Sequence, residues 1–169
     1  MTIYAILRLV HILSGVFWAG ANFTMAAFIT PSVQATAPGS SGFMQYLAQK
    51  SGFPRIAEIA GWLTIIAGLG LYWIISDGFQ LSYFASRHGM FLALGGLMAI
   101  AAMILAYAVS KPAAGRIGAL GQEIQAGGGP PTPDQIAAMQ AQQKRLAQGA
   151  RWTAVLLALA VAGMALSRY

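Results

Sequence analysis

Four stretches of the chain are long and apolar enough to cross a lipid bilayer, and almost no charged residue lies inside them. A helix needs about 20 mainly apolar residues to span the hydrocarbon core. Only 8% of the residues are charged, whereas about a quarter of a soluble domain is charged. We therefore expect an all-α membrane protein. The predicted spans are Tyr4–Phe28, Phe53–Ser76, Gly89–Ser110 and Trp152–Ser167.

The length of 169 residues leaves room for one membrane domain, residues 1–169, which we expect to be an antiparallel bundle of four transmembrane helices. The chain contains no cysteine, which excludes disulfides and cysteine-ligated metals. The net charge of +6 is carried by residues that flank the apolar stretches. Basic residues in such places set topology and contact lipid headgroups, so we expect membrane lipids and no nucleic acid as partners.

The basic residues are unevenly distributed between the two sides of the predicted bundle. Most of them lie in or beside the first and third loops, and only Arg8, Arg87 and Arg168 lie on the other side. Cytoplasmic loops of membrane proteins carry an excess of lysine and arginine. The distribution predicts a multi-pass protein of the bacterial inner membrane with both termini on the periplasmic side.

The third loop, residues 112–150, has the pattern of a cytoplasmic helical hairpin. Pro112 is expected to end the third span, and an apolar stripe follows at helical spacing. Residues 127–131 are glycine and proline and predict a turn. Thr132 then has the position of an N-cap, with Gln135 placed for a capping box. Such a hairpin either folds only on itself or docks a partner protein, and the residues predicted for docking are Ile117, Leu120, Ile124, Ile136 and Met139.

Three basic side chains are the best candidates for a cofactor site. A charged residue at the bilayer centre costs about 3 kcal/mol, so such residues are functional candidates by default. Arg8 and His11 are three residues apart and share one helix face. His11 either hydrogen-bonds a neighbouring helix or is a ligand of haem b or of a metal ion. His88 begins the third span, and a depth difference of ~10 Å from His11 disfavours shared ligation of one haem.

Two ion pairs would give Arg8 and Glu58 a structural role instead of a role in ligand binding or proton transfer. Arg8 either forms a salt bridge with Asp77 or holds an acidic ligand group such as a haem propionate. Glu58 is expected to pair with Arg55, three residues earlier on the same helix. No second carboxylate is expected at the depth of Glu58, which disfavours a proton relay.

The first span also resembles a known family. The segment RLVHILSGVFWAG, from Arg8 to Gly20 and followed by Pro31, is similar to the first helix of the copper-resistance-D-like small bacterial membrane proteins. Much of that group has no assigned function. It is distantly similar to a haem-associated family that oxidises protoporphyrinogen and pairs the histidine of its first helix with a lysine on its third. The resemblance implies a role for His11, although here the third helix begins with Arg87 and His88.

Three functions are compatible with these features. The first is a non-catalytic accessory or scaffold subunit of a bacterial respiratory or photosynthetic electron-transfer complex, with partner subunits or further copies of the chain in the membrane. The second is a protein that binds b-type haem or a metal through His11. The third is a copper-handling protein or small-solute transporter. The sequence has no hydrolase or phosphotransfer motif and predicts a non-enzyme, with a haem-pathway oxidoreductase left open.

Overall fold

The chain folds into helices over the part that the structure describes. The computed structural model describes residues 2–36 and 39–167, so Arg168, which contributes to the topology prediction, lies outside the described residues. Four helices are long and apolar enough to cross a membrane, which confirms the predicted all-α fold with four candidate spans. In chain order the helices are α1 Ile3–Ala35, α2 Ser41–Gln49, α3 Phe53–Ile75, α4 Leu81–Ala85, α5 Arg87–Ala126 and α6 Pro133–Leu166.

Helices α1 and α5 both continue beyond their predicted ends and pass through a proline. The predicted first span ends at Phe28, before Pro31, and the third was expected to end at Pro112, but both prolines are helical. A proline ring normally clashes with the carbonyl four residues earlier. Each proline follows a wide π-helical turn, Met25–Ile29 in α1 and Ala106–Ser110 in α5, which relieves that clash. The hydrogen bonds that define these turns run from the N–H of Thr30 to Met25 and from that of Lys111 to Ala106.

Helices α1 and α3 pack along each other through bulky side chains seated on glycines. A Cβ atom placed on Gly61 would lie 2.9 Å from Cε2 of Trp18. One placed on Gly68 would lie 2.9 Å from Cε1 of His11. The two glycines and the two aromatic residues are each seven apart, so both contacts fall on one face of each helix.

Helices α5 and α6 form a second pair in which the backbones themselves approach closely. A Cβ atom on Gly95 would lie 3.0 Å from the carbonyl oxygen of Ala160, and one on Gly163 would lie 3.3 Å from that of Phe91. Small residues allow this approach in membrane helices. The two pairs meet in a buried core formed by Trp18, Ala60, Ala99, Ala102, Met103, Leu157 and Ala160.

The C-terminal part of α5 packs against the N-terminal part of α6. Ala113 and Leu120 of the predicted apolar stripe are 1% and 3% exposed. The predicted capping box at the start of α6 is confirmed. The hydroxyl of Thr132 accepts from the Gln135 N–H at 3.2 Å, and the Gln135 side chain accepts from the Thr132 N–H at 2.9 Å.

A candidate ligand cavity between the helix pairs

A cavity of about 610 Å³ lies between the α1–α3 pair and the α5–α6 pair. It extends from Tyr4 and His88 at one end to Trp18 in the core, and most of its wall is apolar. Its volume lies within the range of roughly 300–1,000 Å³ typical of small-molecule and cofactor sites. The three residues predicted as cofactor ligands, Arg8, His11 and His88, all line this one cavity.

The imidazole of His11 is held by a single hydrogen bond in a defined orientation. Its Nδ1 lies 2.8 Å from the backbone carbonyl oxygen of Thr64 on α3. A carbonyl can only accept, so Nδ1 carries the proton that it donates. In the neutral ring the lone pair is therefore on Nε2. Histidines that bind metals commonly donate their other ring nitrogen to a carbonyl in this way, which fixes the tautomer and the ring plane.

Gly68 makes this position of the imidazole sterically accessible. A Cβ atom at Gly68 would lie 3.0 Å from the Nδ1 of His11, closer than ordinary van der Waals contact. The sequence reasoning did not single out Gly68 or Thr64. A signal was nevertheless present, because Gly61 and Gly68 repeat the seven-residue spacing of His11 and Trp18. Aligning the two spacings on antiparallel helices would have predicted that Trp18 packs on Gly61 and His11 on Gly68.

His88 has the same local arrangement at one end of the cavity. Its Nδ1 lies 2.7 Å from the backbone carbonyl oxygen of Ser167, so its Nε2 is also unprotonated in the neutral ring. The Tyr83 ring stands edge-on to it, with the ring centroids 6.0 Å apart. Burial raises the pKa of the Tyr83 phenol above its usual range, so this neighbour stays neutral.

Arg8 does not form the salt bridge with Asp77 that the sequence suggested. Asp77 lies in the loop after α3, where its carboxylate accepts from Nε2 of Gln80 at 2.8 Å. Over residues 2–36 and 39–167 the ion pairs are Lys111–Glu58 and Arg116–Glu123. Arg8 therefore has no carboxylate partner among the described residues, and it is one of the residues that line the cavity. A cation without an ion-pair partner beside an apolar cavity fits a ligand with an anionic group.

Glu58 is paired across helices and not with Arg55 as predicted. Its carboxylate accepts from Nζ of Lys111 at 3.0 Å and from the hydroxyl of Tyr107. The indole N–H of Trp62 donates to that hydroxyl at 3.0 Å. The pairing crosses from α3 to α5 because the continuous helix places Lys111 beside Tyr107, with its Nζ 4.5 Å from the ring centroid. This cluster joins the two helix pairs at the end of the molecule away from His88.

These residues supply too few ligands for an isolated metal ion. No group of three or more His, Asp or Glu side chains that could hold a metal ion is found in the described part of the chain. Protein metal sites usually have three or four protein ligands. Haem differs, because its ring nitrogens fill four coordination positions and the protein adds one or two axial ligands. His11 therefore fits haem better than it fits an isolated ion.

The residues predicted for partner docking lie on the α5–α6 hairpin with differing exposure. Leu120 is buried inside the hairpin, while Ile117, Ile124 and Met139 are half-buried. Ile136 is 43% exposed. The hairpin therefore uses much of the stripe for its own packing, and Ile136 is the member most accessible to another protein.

No protein-family model, curated protein or solved structure matches this chain. The family resemblance in the first span therefore stays a prediction, and a function has to be argued from the cavity and its residues.

Proposed function

We propose that the protein is an inner-membrane protein that binds a b-type haem in the cavity, with His11 as an axial ligand. The observation that carries this proposal is the hydrogen bond from Nδ1 of His11, a residue that lines the cavity, to the Thr64 carbonyl, which leaves the lone pair of the neutral ring on Nε2. The proposal includes the membrane arrangement. The four long helices form an antiparallel bundle, the α5–α6 hairpin lies in the cytoplasm, and the cavity opens in the periplasmic half.

The cavity fits haem in three respects. Its apolar wall suits the faces of the macrocycle, and the Nε2 of His11 suits the iron. The unpaired guanidinium of Arg8 suits a propionate, since arginine binds carboxylates with two parallel hydrogen bonds. When bound, haem supplies one-electron chemistry. The protein's part is to hold the ring by His11, neutralise a carboxylate by Arg8 and keep water from the apolar wall.

An optical titration tests His11 directly. The purified protein in detergent should show a Soret band, either as isolated or after addition of haem. The His11→Ala variant should lose the band or bind haem at least tenfold more weakly, since it removes the iron ligand. His88→Ala removes the other cavity histidine, which the proposal does not assign to the iron, and should therefore keep the band. A wild-type protein that binds no haem, or a band unchanged in His11→Ala, would reject the proposal.

A second titration tests the anionic end of the ligand. Arg8→Gln should weaken the binding of haem but not that of haem dimethyl ester, whose propionates carry no charge. An equal loss for both ligands would show that Arg8 acts on the fold of the cavity and not on a carboxylate.

The role of an accessory or scaffold subunit is a second candidate, and the exposure of α1 favours it. Only 6% of the apolar window of α1 is buried within the chain, against 22% to 28% in the other three long helices. A Cβ placed on Gly20 would meet no described residue within 4 Å apart from its own stretch of α1, so the helix surface at Gly20 is open to a partner helix. Copper handling or solute transport gains no such support, because the cavity wall is mainly apolar.

Extraction in a gentle detergent tests the accessory role. A partner subunit or second copy should co-elute with the protein at a fixed ratio, and Gly20→Leu should release it because the added side chain blocks close helix approach. Ile136→Gln tests the hairpin in the same way, so that release of the partner by one variant and not by the other identifies which surface makes the contact. A monodisperse monomer from the native membrane would contradict the accessory role and leave the haem proposal standing.

A further inference from the structure

A second cleft lies at the other end of the molecule, where α1 ends beside α6. Its volume is about 390 Å³. Gln34 contributes from α1, and Gln140, Lys144, Gln148 and Arg151 contribute from α6. The α6 residues follow one helix face, since they are separated by four, four and three positions. The side chains therefore converge on one space from two helices.

The cleft is positively charged and rich in hydrogen-bond donors. Lys144 and Arg151 bring two cations roughly 10 Å apart along the axis, at 1.5 Å per residue. No carboxylate lines the cleft. The two ion pairs within the described residues involve Lys111 and Arg116, so neither cation of the cleft is neutralised there. The glutamine amides add neutral donors. A group with several acceptor oxygens and a negative charge satisfies such a set.

The cleft lies where a membrane surface would meet the helix. Arg151 is the last residue before the apolar stretch of α6, and the next residue, Trp152, is 60% exposed. Tryptophan collects at the level of the lipid headgroups. The cleft opens just outside that level, where phospholipid phosphates are concentrated. Basic pockets between membrane helices on the cytoplasmic side are suited to anionic headgroups.

We propose that this cleft binds the phosphate headgroup of an anionic phospholipid, with Lys144 and Arg151 as the charged contacts. The lipid would join the end of α1 to α6, since the headgroup contacts both. The proposal does not depend on haem binding, because the cleft shares no residue with the cavity.

Lipid retention measures this site. The protein is reconstituted with an equal mixture of phosphatidylglycerol and phosphatidylcholine, re-extracted in mild detergent, and its bound lipids are counted by native mass spectrometry. The wild-type protein should retain phosphatidylglycerol in preference. Lys144→Gln and Arg151→Gln should each reduce that preference about fivefold, and the double variant by about 25-fold.

Arg145→Gln is the matched control, because Arg145 has the same charge on the same helix but does not line the cleft. It should leave retention unchanged, and all variants should keep wild-type helical circular dichroism. An equal loss in Arg145→Gln would overturn the proposal in favour of general surface charge. Loss of the bound lipid to millimolar inorganic phosphate would overturn it in favour of a site for free anions.

Discussion

The two helix pairs are held together by different kinds of contact. Between α1 and α3 the contacts are polar: His11 bonds the Thr64 carbonyl, and the hydroxyls of Thr64 and Ser14 lie 2.9 Å apart. Between α5 and α6 the contacts are mainly glycine and alanine, apart from the bond of His88 to the Ser167 carbonyl at one end, and a Cβ on Gly95 would come within 3.0 Å of a carbonyl oxygen. Both pairs are tight, but the first directs an oriented imidazole into the length of the cavity, whereas the imidazole that the second pair orients, His88, lies at one end of it.

The difference shows that a small membrane protein can use one helix pair for tight packing and another to orient a side chain that could bind a ligand. Helices in lipid gain little from burying apolar surface, so they associate through close packing and hydrogen bonds. Apart from His88 at its end, the α5–α6 pair uses close packing and presents an apolar wall. The α1–α3 pair uses hydrogen bonds, and one of them orients an imidazole. We therefore expect substitutions in the first pair to change ligand binding and those where the pairs meet to change stability.

Gly61→Ala should have the largest effect, because Gly61 is the point where the pairs meet. The added Cβ would lie 2.5 Å from Cε of Met103 and 2.9 Å from Trp18, which is only 4% exposed. Overpacking of this kind costs typically 1–3 kcal/mol, and we expect the free energy of unfolding to fall by about 2 kcal/mol. Unfolding by sodium dodecyl sulfate in mixed micelles measures the change.

Gly96→Ala is the control for this substitution. Nothing in the described structure lies within 4 Å of its added Cβ, so its stability should equal or slightly exceed that of the wild type. If both variants unfold alike, the close contact at Gly61 does not stabilise the packing of the two helix pairs against each other.

Gly68→Ala should weaken haem binding about tenfold while changing stability less than Gly61→Ala. The added Cβ displaces the His11 ring and breaks its bond to Thr64, and loss of such an orienting partner typically costs 10–100-fold in metal affinity. Haem titration followed at the Soret band measures the effect. Gly96→Ala again serves for comparison, since Gly96 also lines the cavity. Equal affinities in the two variants would mean that the seat of His11 is unimportant for the ligand.

The sequence contained enough to predict the spans but not their partners. Hydropathy and helix length depend on local composition, so α3 and the capped start of α6 agree with expectation. Salt bridges depend on which helices are neighbours. Lys111 reaches Glu58 from a helix that continues past Ser110 through a π-turn, whereas Pro112 next to it predicted the end of the helix. The π-turn that makes the difference has no sequence signature that we could use.

The candidate site was predictable in its residues and not in its geometry. Arg8, His11 and His88 stood out because charged and titratable groups are rare in these spans. That they line one cavity depends on how two helix pairs meet, which is a property of Gly61, Met103 and their neighbours. Thr64 and Gly68 were passed over because a threonine and a glycine are common in membrane helices and carry no charge.

The smallest effects are expected from two threonines of the same shape in the two pairs, and they should differ in sign. The Thr64 hydroxyl donates to the Ser14 hydroxyl across the α1–α3 interface at 2.9 Å. The Thr153 hydroxyl is buried on α6 without a hydrogen-bond partner among the described residues. Valine replaces the hydroxyl by a methyl group of similar size. Thr64→Val should therefore lower the free energy of unfolding by about 0.6 kcal/mol, the mean for hydrogen bonds between membrane helices.

Thr153→Val should raise the free energy of unfolding by up to about 1 kcal/mol, because it removes a buried polar group that no bond compensates. Comparing two identical substitutions cancels the difference in helix propensity between threonine and valine. What remains is the hydrogen bonding of each interface, which is the property that separates the two pairs. If both variants are destabilised, the α5–α6 interface also depends on a polar contact. The distinction between a pair held by hydrogen bonds and a pair held by close packing would then be wrong.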